Sequence, residues 1–188
     1  MVLLVIQAWA RSTAPDKAMR AWNLLERMHS RYNKGEEAVR PSVKALTSVL
    51  NACAYTTSRQ NHEEAVEIAR KVQEMIIQDK HGKFYGKPES AFFDLLLKTF
   101  AFCVHDEVEQ ERLMISVIRH CCDEGQMDTR ILETIKRSAN LFHQLPSLVN
   151  MGQVNDQPEK VSGFKGGLMS VQDLPRTCWR NVRARRLK

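Results

Sequence analysis

The chain has 188 residues, 43% of them hydrophobic, and a formal net charge of +6. That apolar content suffices for one globular unit or a short repeat array, and no run nears the roughly 18 apolar residues of a spanning helix, so no membrane insertion is expected. The charge is local: Leu174 to Lys188 hold Arg176, Arg180, Arg183, Arg185, Arg186 and Lys188 with no acid, and the remaining 22 basic residues are matched by 22 acidic ones. An evenly basic body is excluded, and phosphate attraction rests on the tail. The five cysteines (Cys53, Cys103, Cys121, Cys122 and Cys178) are odd in number and have no framework spacing, which predicts buried free thiols in a reducing compartment.

In chain order, MVLLVIQAWARS reads as helical from the first residue, without the charged start or small-residue cleavage site of a signal peptide. A helix starting at Met1 without a cap predicts an incomplete first repeat. After a turn at Ser12 to Asp16, Ala18, Ala21, Trp22, Leu25 and Met28 mark one face of a second helix, and Tyr32 to Val39 reads as a loop. In RPSVKALTSVLNACA, Pro41 and Ser42 open a helix striped by Val43, Leu46, Val49, Leu50 and Cys53. Ser42 is placed to accept a hydrogen bond from that helix's first free amides. His62 to Gln78 carries Ala65, Ile68, Ala69, Val72 and Ile76 at helical spacing. Pro88 and Glu89 open a helix with Phe92, Phe93, Leu96, Leu97 and Phe100. Asp106 starts its partner, which Gly125 ends, and Asp128 with Thr129 caps a seventh helix. Past Leu145-Pro146 the pattern fails, so residues 147–173 read as a flexible linker and 174–188 as a flexible basic tail.

Enzymatic readings find little purchase. Cys103-Val104-His105 and His120-Cys121-Cys122 lack the C-x2-C spacing of a structural zinc site. His62-Glu63-Glu64 matches H-x-E without the P-C-x-x-C of zinc deaminases. No G-x-x-x-x-G-K loop or G-x-S-x-G elbow is present. No catalytic residue, metal, cofactor or small-molecule substrate is expected.

The chain repeats itself. Ala8-Trp9-Ala10, Ala52-Cys53-Ala54 and Thr99-Phe100-Ala101 close three similar helices, and Asp128 to Asn140 is a fourth, weaker copy. Helix pairs that cannot bury their faces alone must stack. The predicted fold is all-α: a right-handed α-solenoid of about three to four antiparallel helix pairs, occupying residues 1–146, with repeats at about 1–42, 43–89 and 90–128 and a partial one at 129–146. The words VIQAWARS, RPSVKALTSVLNACA and KPESAFFDLLLKTFA, with AWNLLERM at Ala21 to Met28, resemble the helices of pentatricopeptide repeats. The resemblance covers residues 1 to about 140 and is strongest in the middle copy.

That resemblance implies binding of single-stranded RNA, about one base per repeat, in mitochondrial or plastid RNA processing, stability or translation, alongside other RNA-processing proteins. It implies base-reading pairs at the fifth and last positions of each repeat: Thr47 with Glu89, Asp94 with Asp128, and Leu3 with Ser42. The sandwiching position falls on Lys44, Ala91 and Arg130, of which the Lys44 stem and the Arg130 plane could stack on a base. Trp179 among Arg180, Arg183, Arg185 and Arg186 suits stacking and phosphate contact. The neutral body supports an alternative, a protein-interaction scaffold that presents a concave surface to peptides. Trp22, Phe93, Leu97 and Phe100 are the expected core.

Overall fold

The computed structural model describes residues 2–137, 139–150 and 170–182. Eight α-helices make up the described chain: α1 (Val2–Arg11), α2 (Lys17–Asn33), α3 (Val43–Ala54), α4 (His62–Gln78), α5 (Ser90–Cys103), α6 (Glu107–Asp123), α7 (Thr129–Lys136) and α8 (Ala139–Asn150). Short 3-10 turns connect several of them, and no strand occurs among the described residues.

The helices form where the apolar spacing predicts, and the stripes point inward. On α2 the residues Ala18, Ala21, Trp22, Leu25 and Met28 are all buried, as are Ala65, Ile68, Ala69, Val72 and Ile76 on α4. Each closes one face at steps of three and four residues while charged side chains occupy the other. α5 is the exception to this one-faced pattern. Phe92, Phe93, Leu96, Leu97 and Phe100 are all fully buried, and Asp94 and Thr99 between them are buried too. A helix enclosed on most sides needs neighbours on most sides, and α5 packs against α3, α4, α6 and α7. Each of its large apolar side chains contributes about 1.5–3 kcal/mol of burial.

Consecutive helices pair as α1 with α2, α3 with α4, α5 with α6 and α7 with α8. The odd-numbered helices also touch in series, α1 on α3, α3 on α5 and α5 on α7, while α2 lies on α4 and α6 on α8. The odd helices thus form one continuous layer. Polar contacts bridge α4 and α6: Arg70 pairs with Glu109, and the Gln73 amide donates to the Ser116 hydroxyl at 3.3 Å.

Helix starts are set individually. The Asp106 carboxylate accepts from the Glu109 amide at 2.7 Å, and Asp128 accepts from the Ile131 amide at 3.1 Å, each satisfying an otherwise free donor. Ser42 occupies the N-cap position of α3 but its hydroxyl makes no capping bond, contrary to the sequence expectation. The free Val43 amide is satisfied instead by the Tyr85 carbonyl at 2.7 Å, a partner from the α4–α5 loop.

The C-terminal region departs from the sequence reading in two ways. α8 continues past Pro146 to Asn150, where the linker was expected to have begun. The expected flexible tail is corrected over its described part, because Val171, Leu174 and Cys178 are buried in the main core and Trp179 packs against it. Two 3-10 turns, Val171–Asp173 and Arg176–Cys178, carry them there, and the second lies on α6. The Met127 amide donates to the Cys178 carbonyl at 2.8 Å and the Asn181 amide to the Gly125 carbonyl at 2.9 Å. Gly125 has φ +64°, and a Cβ there would meet Arg180 Cγ at 2.6 Å, so the bend and the docked segment both require glycine. The physical reason is ordinary: four apolar residues at steps of three, four and one find uncovered core, while Arg176 and Arg180 stay exposed.

Candidate nucleic-acid interface

The odd-helix layer carries a groove of about 340 Å³ that runs from α1 across α3 and α5 to α7. Its polar lining arises from helical rows one turn apart: Gln7 and Arg11 on α1, Thr47 and Asn51 on α3 with Tyr55 just past its end, and Asp94 and Lys98 on α5. Arg130 of α7 closes the far end. Each row sits beside the apolar stripe that buries its helix, so packing presents these side chains on a common surface.

Of the base-reading and stacking candidates, the structure brings Thr47, Asp94 and Arg130 together in this groove, with Ala91 also lining it. Their states differ. Thr47 is half-buried and its hydroxyl donates to the Val43 carbonyl at 2.7 Å, leaving oxygen lone pairs to accept. Asp94 is 4% exposed, and its carboxylate accepts from Lys98 Nζ at 2.7 Å and from the Thr134 hydroxyl at 2.9 Å. It therefore ties α5 to α7 while half-exposed Lys98 offsets its charge. Arg130 is half-exposed and donates to Asp128 at 3.2 Å. Asp128 itself is 1% exposed and engaged as the cap of α7, which withdraws it from the surface.

The other candidates lie apart from the groove lining. Glu89 is exposed at the start of α5, Ser42 is half-buried before α3, and Lys44 is exposed on its first turn. In the C-terminal segment the Trp179 indole N–H donates to the Leu174 carbonyl at 3.1 Å. Arg180 donates to the Asp123 carbonyl at 2.6 Å and the Thr177 carbonyl at 3.1 Å, satisfying the C-terminal end of α6. Trp179 and Arg180 thus hold the segment to the body. Arg183, Arg185 and Arg186 lie outside the described residues.

Sequence reasoning did not single out Gln7, Asn51, Tyr55 or Lys98. The signal was available: each stands four residues from another lining residue, and a polar row at i, i+4 beside an apolar stripe marks a shared face.

A wider groove of about 1060 Å³ adjoins the first through Tyr55 and Lys98, which line both. It exposes Tyr55, Phe102 and Val108, three large apolar side chains at 52%, 58% and 78% exposure. Behind Phe102, its ring centroid 5.1 Å away, His62 is buried with Nδ1 3.4 Å from His105 Nε2. Burial pushes the His62 imidazole below its ordinary pKa, and His105 and Arg59 push it further down. Among the described residues no group of three or more His, Cys, Asp or Glu is placed to hold a metal, and no helix is long and apolar enough to cross a membrane.

Comparison of the chain with protein-family models, with curated proteins and with solved structures returns no match.

Proposed function

We propose that this protein is a single-stranded RNA-binding α-solenoid of the pentatricopeptide-repeat type, acting without catalysis in organellar RNA processing, stability or translation. One observation carries the reading: Thr47, Ala91, Asp94 and Arg130, which the resemblance to pentatricopeptide repeats singles out, line a single groove along the odd helices. The serial contacts α1–α3–α5–α7 support a solenoid, in which successive repeats present equivalent helices on one face. Thr47 and Asn51 supply hydrogen-bonding edges, Tyr55 a stacking face, and Arg11, Lys98 and Arg130 positive charge. Base reading in this proposal centres on Thr47 and Asn51, because Asp94 and Asp128 are already engaged by Thr134, Lys98 and the α7 amide.

The test is selection of a random single-stranded RNA pool on the full chain across a salt series, beside Thr47→Ala and Asn51→Ala. Enrichment of a sequence that either substitution relaxes supports the reading. Binding without enrichment, unchanged by both substitutions, would place affinity outside the groove and overturn it.

A second reading, a protein-binding scaffold, is favoured by the wider groove. Exposed Tyr55, Phe102 and Val108 at its surface suit an apolar peptide better than a phosphate backbone. Absence of RNA binding, with peptide binding lost on Phe102→Ser, would establish it.

A further inference from the structure

His62 and His105 meet across two successive helix pairs. His62 is the first residue of α4, and His105 lies 43 residues on, in the turn between α5 and α6. His62 Nδ1 faces His105 Nε2 at 3.4 Å, with the ring centroids 5.4 Å apart and the planes tilted by 34°. The backbone is tied down on both sides. Just before His62, the Asn61 side chain donates to the Pro15 carbonyl at 2.6 Å. Around His105, the Val104 carbonyl accepts from the Gln110 side chain at 2.9 Å, and the Asp106 carboxylate caps α6. His62 Nε2 has no hydrogen-bond partner among the described residues, so His105 is the polar group that the His62 ring engages.

The separation of the two nitrogens is informative. A hydrogen bond from N–H is commonest near about 2.9–3.0 Å, and the observed 3.4 Å is long for one. Two imidazole nitrogens that each lie about 2.0–2.1 Å from one tetrahedral ion stand about 3.3–3.4 Å apart. We propose that His62 Nδ1 and His105 Nε2 form a two-histidine site for a divalent first-row transition ion, typified by Zn2+, which ties the start of α4 to the α5–α6 turn. Imidazole nitrogen is a favoured donor for such ions. Burial, His105 and Arg59 hold His62 below its ordinary pKa, so at neutral pH its lone pair is available rather than protonated. His105 is exposed, which gives the ion its approach from solvent. Two side chains leave the other coordination positions to water, so the site is open and exchangeable rather than a closed structural centre. Arg59, as a nearby cation, works against tight binding. The Phe102 ring, its centroid 5.1 Å from that of His62, lines the wider groove, so a bound ion stiffens one wall of that groove. This inference is independent of whether the first groove binds RNA.

The test is calorimetric titration of the full chain with Zn2+ at neutral pH, its thiols kept reduced, beside His105→Gln and His62→Gln. One ion per chain is expected, with affinity more than about tenfold weaker in each variant. Zn2+ should raise the unfolding temperature of the unsubstituted chain and not that of the variants. Co2+ supplies a spectral check, since nitrogen and water ligands give no thiolate charge-transfer band. Because His105 is exposed, His105→Gln keeps the fold, which circular dichroism verifies. No Zn2+ binding, affinity unchanged in His105→Gln, or a thiolate band with the first equivalent of Co2+ would each overturn the proposal.

Discussion

The two ends of the helix array close their cores by different means. α1 has only Ile6 and Ala10 fully inside, and its outer face leaves Leu4 and Val5 at 67% and 42% exposure. Its burial comes from α2 and α3, helices next to it in the chain. At the other end, α6 is covered by α8 and by a turn around Cys178, brought back from far along the sequence. Local stripes thus suffice to build a helix pair, but the covering of its open side can come from chain with no helical pattern. The difference can be broken or sharpened by substitution.

The largest effect belongs to the centre that both ends share. Phe93→Ala should destabilise by about 3–5 kcal/mol, since a fully buried ring leaves a cavity. Phe102→Ala, on exposed surface of the same helix, should fall within about 0.5 kcal/mol. Urea midpoints of the two variants check this.

Next is the comparison of the ends themselves. Leu174 is 5% exposed, and Leu174→Ala should cost about 2–3 kcal/mol. Leu4→Ala should change stability by no more than about 0.5 kcal/mol. Equal midpoints for these two variants would mean that the C-terminal segment adds nothing to the core.

Smaller is the contrast between helix starts. Asp128→Ala removes a capping bond to α7 and should cost about 1 kcal/mol or somewhat more, given its burial. Ser42→Ala should cost a few tenths of a kcal/mol or less, because the Ser42 hydroxyl caps nothing and Tyr85 supplies the acceptor for Val43. Thermal unfolding of the pair measures both.

The smallest effect is a pH slope. His29, His62 and His120 all lie below the ordinary histidine pKa of 6.5, with burial the leading cause in each. The unfolded chain therefore binds protons that the folded chain refuses, so stability rises with pH here. It should fall as pH drops from about 7 toward 5, and His62→Gln should flatten the slope. Urea titrations at several pH values would show a slope of the opposite sign if these imidazoles were instead charged when folded.

The first seven helices, up to Lys136, were legible because each shows its burial as steps of three and four: Val72 and Ile76, Phe93 and Leu97, Ile131 and Ile135. That Thr47, Asp94 and Arg130 share a face did not follow from apolar spacing: the family resemblance singled them out, and the packing of α3, α5 and α7 lines one groove with them. The capping of α3 was not, because the acceptor for Val43 is a loop carbonyl whose position depends on the α4–α5 chain reaching back. The state of Asp94 was not, because Thr134 is 40 residues away and meets it only when α5 and α7 pack.

The sequence by itself determined that this protein is helical, where its first seven helices run and which faces turn inward, since helix period and apolar spacing are local properties. Only the tertiary structure decided that Val171, Leu174, Cys178 and Trp179 join the core, that Arg180 bonds the end of α6, and that the Met127 amide meets the Cys178 carbonyl. Those outcomes depend on which apolar surface the packed helices leave uncovered, and no local pattern encodes a vacancy created by distant neighbours.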